Sequence, residues 1–191
     1  MAYRPPVAVY DACVLYPFQL RNLLIQCAAD RLVDARWSDE IHDEWIRNLV
    51  ANEPGLSRER LIATRDLMNQ VLPTANVTGY GAHIPGIHLP DPDDRHVAAV
   101  GLEAGASIIV TWNVRDFPAA ELRKHGLRRQ MPDAFLLDLY AAAPEVVVAA
   151  TANARRNLRK SHATAPDFIA ALRRQKLKRF ADVIATHIAD L

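Results

Sequence analysis

The stretch SIIVTWN (107–113) is apolar and β-branched at successive positions and is bounded by turn-forming residues. A strand without polar alternation is stable only when both of its faces are covered. VAVYDA (7–12) has the same character and ends at Asp11. Two such strands, far apart in the chain with helical patterns between them, predict an α/β domain built around a buried parallel sheet.

The intervening segments read as helices. LRNLLIQCAAD carries Leu20, Leu23, Leu24 and Cys27 on one face, after Tyr16-Pro17. Ser38 is placed to cap DEIHDEWIRNLV, in which Ile41, Trp45, Ile46 and Leu49 form an apolar stripe. Ser57 precedes a further helix through RERLIATRDLMNQVL, and 73–90, rich in Pro and Gly, reads as loop with a short extended piece. HVAAVGLEAGA reads as a helix ending at Gly105, while FPAAELRKHG and PDAFLLDLYAAA each place a Pro near a first turn. Beyond about residue 143 the pattern is helical only, with Phe180, Ala181, Ile184 and Ile188 as one apolar stripe. The expected division is a domain over 1–143 and a basic helical extension over 144–191.

Charge sharpens that division. Residues 151–191 hold nine Lys and Arg against three Asp, a net +6, and residues 1–150 hold 14 basic and 19 acidic residues, a net −5. The extension is expected to be an amphipathic helical appendage with a solvated charged face. RNA backbone binding or docking of an acidic partner are its functional alternatives. With 191 residues, half of them hydrophobic, one sizeable core is expected. No apolar run approaches the roughly 20 residues of a membrane span. The first strand starts close to the N-terminus, so no signal peptide and a cytoplasmic location are expected. Cys13 and Cys27 lack CxxC spacing and read as free thiols in apolar surroundings rather than a disulfide or zinc site.

Ligands of an open parallel sheet bind beyond the C-terminal ends of its strands. Asp11 directly follows the first strand, and Asp116 lies five residues beyond the strand IIVT. LPDPDDRHVAA (89–99) crowds Asp91, Asp93 and Asp94 at the start of the helix that leads into that strand. Glu44 flanks the apolar stripe of its helix, a position able to point along the edge of the core. Acids from four separate segments repel unless a cation holds them. An oxygen-only set without clustered Cys or His suits Mg2+ or Mn2+ rather than zinc. A divalent ion of this kind lowers the pKa of an attacking water and stabilises charge on a leaving oxygen, the requirements of phosphodiester hydrolysis.

At this point the chain resembles the PIN domain, the ribonuclease fold of VapC-type toxins. The resemblance rests on VYDACVLYP, WSDEIHDEWIRNL and DPDDRHVAAVGLEAGASIIVTWNVRDFP, in that order over roughly residues 5–140. It implies a three-layer α/β/α fold with a central parallel sheet and a Mg2+- or Mn2+-dependent endoribonuclease that is inhibited by a small antitoxin. It also implies a possible homodimer. Asp11, Glu44 and Asp94 match the family's acids. Where many members carry a further aspartate this chain has Asn113, whose carbonyl is a neutral ligand, and Asp116 supplies charge nearby. The implied metal and catalytic set is Asp11, Glu44, Asp94 and Asp116, with Asn113 and Asp91 as secondary candidates.

Several neighbours carry two readings. Arg95 and Arg115 are candidate phosphate contacts, with surface ion pairs as the alternative. Trp112 reads as a packed aromatic at the domain edge, with stacking on an unpaired base as the alternative. His42 and His96 read as surface histidines, Cys13 as packing, and Asp93 as solvent-facing. A haloacid dehalogenase-type phosphatase would need an aspartate where this chain has Cys13, and no GxGxxG follows a strand. The remaining rival is a PIN-like module that binds RNA or protein without cutting, favoured by Asn113.

Overall fold

The computed structural model describes residues 3–158 and 162–191. Arg159 and Lys160, two of the nine basic residues of the extension, lie outside the described residues. A four-stranded, fully parallel sheet has the order β2-β1-β3-β4, formed by β1 (Val7–Tyr10), β2 (Asp34–Arg36), β3 (Ile108–Val110) and β4 (Arg128–Gln130). The two apolar strands occupy the centre, where both faces are covered: Ala8, Val9, Tyr10 and all of β3 are buried. Parallel register pairs Tyr10 with Val110. The backbone N–H of Asp11 then reaches the Val110 carbonyl at 3.2 Å, so both central strands end at the same edge.

Strand β3 is shorter than the expected 107–113. The Thr111 hydroxyl accepts from the Asn113 N–H at 2.8 Å, a local turn that competes with the ladder and ends it. Strands β2 and β4 were not expected, since DAR and RRQ carry neither alternation nor apolar runs. They are strands only because their backbones lie beside β1 and β3.

The helices before the second central strand are α1 (Ala12–Leu15), α2 (Phe18–Ala29), α3 (Asp39–Asn52), α4 (Arg58–Val71) and α5 (Arg95–Glu103). The Ser38 and Ser57 hydroxyls cap α3 and α4 as expected, accepting from Ile41 and Arg60. The expected stripes of α2 and α3 are buried. In the segment 73–90 the short extended piece is a bridge from Asn76 to Trp37, followed by a 3-10 turn over Tyr80–Gly86. Gly101 lets α5 approach closely: a Cβ there would stand 3.1 Å from Leu127 Cδ2 and 3.5 Å from Val9 Cγ2. Gly105, at φ +61°, ends that helix in the left-handed conformation.

The second half adds α6 (Ala119–Lys124), α7 (Pro132–Ala142), α8 (Pro144–Arg156), α9 (Ala165–Arg174) and α10 (Lys178–Ala185). Helix α8 packs on α2, where Asn22 Nδ2 donates to the Ala154 carbonyl at 2.7 Å, and α7 packs against both α8 and α10. Phe168, Phe180, Ala181 and Ile184 are fully buried or nearly so. Ile188 departs from the expected stripe and is 44% exposed, because α10 stops at Ala185 and a 3-10 turn over Ile188–Asp190 shifts the register. The result is a three-layer α/β/α fold with a helical C-terminal extension packed on it. Among the described residues no helix is long and apolar enough to cross a membrane.

Candidate active site

Asp11 leaves β1 at the sheet edge and is buried, 3% exposed. Its Oδ2 accepts from the Thr111 hydroxyl at 2.6 Å and from the Cys13 thiol at 3.0 Å. The Trp112 N–H in turn donates to Cys13 Sγ at 3.2 Å. The ends of the two central strands are thus stitched together around one carboxylate. Burial pushes Asp11 above the ordinary carboxylate range and the nearby Glu44 charge adds to this, while the Thr111 and Cys13 hydrogen bonds oppose it.

Asp94 opens α5 and is half-buried. Asn113 Nδ2 donates to its Oδ2 at 3.3 Å. Burial, followed by the charges of Asp11, Asp91, Glu44 and Asp116, pushes its carboxyl up to about 7. With Asp94 itself, that set holds the acids singled out in the sequence as metal candidates, each within electrostatic reach of Asp94. Asp91 is exposed and caps the 3-10 turn over Pro92–Asp94, accepting from the Asp93 N–H at 2.9 Å, and Asp93 faces solvent as expected. Glu44 and Asp116 are half-buried. Arg95 is half-buried with its Nε unpartnered, and Arg115 is exposed; neither makes an ion pair to the acids among the described residues.

Two histidines differ from expectation. His96 is 6% exposed, one residue into α5, with Nε2 3.8 Å from Glu44 and Nδ1 3.8 Å from Glu40. Burial lowers its pKa, but the Glu44 hydrogen bond and the charges of Glu40, Glu44 and Asp11 outweigh that and raise it overall. His42 is fully buried, accepts from Trp45 Nε1 at 3.0 Å, and is held down to about 4 chiefly by burial. Its neighbours are the rings of Trp37 and Trp45, so it belongs to the core. Cys13 also exceeds its expected packing role, since its thiol is a donor to Asp11, and burial and Asp11 raise its pKa. The sequence does not single out Thr111, because a β-branched residue at a strand end reads as packing. Its only signal was its place between Val110 and the polar Asn113.

An acidic cleft of about 460 Å³ opens beside these groups, lined by Glu40, Asp43, Glu44, Asp91, Asp94 and His96, with Arg47 as its basic member. Among the described residues no Lys or Arg stands within ion-pair distance of Asp11, Glu44, Asp94 or Asp116; the ion-pair partner of Glu44 is His96. Also among them, no three His, Cys, Asp or Glu side chains form a ready-made metal-binding group. The donor chemistry nevertheless fits a hard divalent cation: carboxylate oxygens, an excess of negative charge and an open, polar cleft.

A family model described as "PIN domain" matches residues 7–115, more than half of the chain and all four of its site segments up to Asn113. The chain belongs to the PIN domain family. A second model, "VapC50 C-terminal domain", matches residues 132–186, so the chain joins a PIN domain to a VapC-type C-terminal extension. A Mycobacterium tuberculosis protein named "Putative ribonuclease VapC50" is 40% identical over 58 residues, which is 29% of this chain and 34% of that relative. The match spans about a third of that relative's length. No solved structure matches the chain.

Proposed function

We propose that this PIN protein is a Mg2+- or Mn2+-dependent endoribonuclease that hydrolyses RNA phosphodiester bonds and serves as the toxin of a type II toxin–antitoxin pair. One observation carries the reading: the charges of Asp11, Glu44 and Asp116, from three separate segments, all reach the half-buried Asp94 of a fourth, and among the described residues no Lys or Arg pairs with any of the four. The name borne by the M. tuberculosis relative supports the ribonuclease part.

Asp11, Glu44, Asp94 and Asp116 would hold the metal, with the Asn113 carbonyl and Asp91 assisting; closing on an ion asks for side-chain rotations. Bound there, the ion would supply Lewis acidity for activating water and for stabilising the leaving oxygen. The chain's own residues do the positioning. Thr111 and Cys13 fix the Asp11 carboxylate, which keeps its reorganisation small. His96 orients Glu44 and offsets part of its charge. Arg95 and Arg115 would meet the substrate phosphate. RNA, a small antitoxin and a second copy of the chain are the proposed partners, in the cytoplasm. The proposed division places the nuclease in 1–143 and the basic extension in 144–191.

The test is RNA cleavage by the purified chain with Mg2+, Mn2+ or EDTA, run beside Asp11→Asn. Cutting that needs both the ion and Asp11 is expected. Cutting by Asp11→Asn at the wild-type rate would refute the reading. The second reading, a PIN-like module that binds RNA or protein without cutting, draws on Asn113, whose amide nitrogen rather than a carboxylate faces Asp94. It predicts binding without cleavage under either ion.

A further inference from the structure

A groove of about 890 Å³ lies between the start of α2, the α3–α4 hairpin and the turn that joins α9 to α10. Its chemistry differs from that of the acidic cleft. Tyr16, Phe18 and Trp112 line it, and Phe18 is 59% exposed, an unusual state for a Phe side chain. Arg60, Arg174 and Lys176 line it as well, all exposed, and Glu53 is the one acid of the lining. None of the three cations has a carboxylate within ion-pair distance among the described residues.

Arg21 lies in the wall, only 6% exposed. Its guanidinium donates to the carbonyls of Leu15 and Tyr16, and stacks 4.6 Å from the Trp45 ring centroid. Among the described residues no carboxylate neutralises it. A buried, uncompensated guanidinium is costly, and it biases the groove towards anions.

Lys176 supplies an independent observation. It follows α9 at φ +61°, where the Leu177 N–H closes back on the Leu172 carbonyl. Glycine is the usual residue at this left-handed position, because a Cβ is strained there. This chain places a lysine at that point, with Nζ 5.9 Å from the Trp112 ring centroid. An aromatic ring beside a free ammonium is the pairing that holds one unpaired nucleotide, the ring taking the base and the ammonium its phosphate.

The groove is linked to the acids through the chain segments that carry both. Trp112 follows Thr111, and its N–H bonds Cys13, which donates to Asp11. Tyr16 follows α1, the helix that begins one residue after Asp11.

We propose that this groove seats the single-stranded RNA flanking the scissile phosphate, with a base stacked at Trp112 and Phe18 and its phosphates met by Arg60, Arg174 and Lys176. The proposal rests on the ribonuclease reading for its substrate class. It gives the C-terminal extension a role: the α9–α10 turn completes the substrate groove of the PIN domain. Duplex RNA, whose bases are already stacked, is excluded from the aromatic floor.

The test separates binding from cutting. Asp11→Asn is the parent, kept in EDTA, and the probe is a short fluorescein-labelled single-stranded RNA of mixed sequence, compared with the same RNA in a duplex. The parent is expected to prefer the single strand. Lys176→Gly should weaken binding several-fold and lower the slope of log affinity against log salt by about 0.7, the share of one phosphate contact. Its melting temperature should not fall, since glycine relieves the left-handed strain. Trp112→Ala should weaken binding roughly 5- to 150-fold, the loss of one stacked base. Arg123→Ala, an exposed charge on α6, should leave affinity unchanged.

Unchanged RNA affinity in folded Lys176→Gly and Trp112→Ala overturns the proposal and assigns the groove to another class of partner, such as a peptide. The nuclease reading falls or stands separately. If otherwise wild-type protein cuts RNA and Lys176→Gly cuts with the same KM, the groove proposal fails and the nuclease survives. If the groove variants lose binding while the wild type never cuts with Mg2+ or Mn2+, the groove stands and the nuclease reading falls.

Discussion

The Thr111 hydroxyl donates a 2.6 Å hydrogen bond to Oδ2 of Asp11, joining the ends of two strands that lie 100 residues apart in the chain. Thr111→Val keeps the shape of the side chain and removes the donor. Asp11 would keep the thiol of Cys13 and the Ala12 N–H, and the Asn113 N–H would lose its acceptor. A buried carboxylate stripped of a donor costs about 1–3 kcal/mol. We expect Thr111→Val to lower the melting temperature by several degrees, at roughly 2–4 °C per kcal/mol for a chain of this size. In an Asp11→Asn background the same change should cost less, and thermal melts of the four proteins of this double-mutant cycle give the coupling. Equal losses in both backgrounds would show that the hydroxyl does not act through Asp11.

Asp94→Asn should stabilise the metal-free protein at alkaline pH. The folded Asp94 carboxyl titrates at about 7 instead of its ordinary 3.8, so the folded state binds more protons than the unfolded state between those values. Stability therefore falls as pH rises through that interval, and the penalty is fully present above 7. Asn carries no charge and escapes it. In EDTA, the variant should melt higher than wild type at pH 8 and close to wild type at pH 4. Added Mg2+ or Mn2+ should raise the wild-type melting temperature and leave that of Asp94→Asn nearly unmoved. A variant that melts lower than wild type at pH 8 would count against the electrostatic picture of the site.

The acids of this site were legible because topology and residue type agree: a carboxylate at the end of an apolar strand, or at the start of the helix leading into one, has few roles. Asp11 comes within electrostatic reach of Asp94 because β1 and β3 are parallel neighbours in the buried sheet that their unbroken apolar runs called for. The supporting groups were not legible. Thr111 and Cys13 are residue types that pack as readily as they donate; the register Tyr10↔Val110 brings Thr111 beside Asp11, and the turn into α1 brings Cys13 there. His96 reads as solvated in sequence, yet the fold buries it between two glutamates of α3. The edge strands DAR and RRQ carry no pattern of their own, because their conformation is imposed by their neighbours. Lys176 was visible as one charge in a basic tail, and its pairing with Trp112 depends on how the extension docks.

His96→Gln should destabilise the protein more at mildly acidic than at alkaline pH. Burial opposes the charge on this imidazole, but the Glu44 hydrogen bond and the charges of Glu40, Glu44 and Asp11 prevail and raise its pKa above the ordinary 6.5. A raised folded pKa contributes stability that is fully present below 6.5 and is lost as pH rises through the folded value. Thermal melts in EDTA should show a larger deficit for His96→Gln at pH 5.5 than at pH 9. A deficit independent of pH would mean that His96 serves only as packing.

The C-terminal extension should melt together with the PIN domain in one transition. Asn22 of α2 is bonded to the Ala154 carbonyl in α8. Helix α7 packs on both α8 and α10, and the Phe180 N–H donates to Asp133 of α7 at 2.9 Å. Phe168 is fully buried within α9, which itself packs on α10 and α2. Phe168→Ala removes a buried ring at a cost of about 3–5 kcal/mol. If the extension and the PIN domain form one cooperative unit, scanning calorimetry of Phe168→Ala will show a single peak moved down by roughly 6–20 °C. If the extension folds independently, the peak splits: a low-temperature transition shifts and the PIN-domain transition stays at its wild-type position. The second outcome would also separate the α9–α10 turn from the sheet edge at temperatures where the acids are still in place, and RNA binding should then be lost before cleavage geometry is.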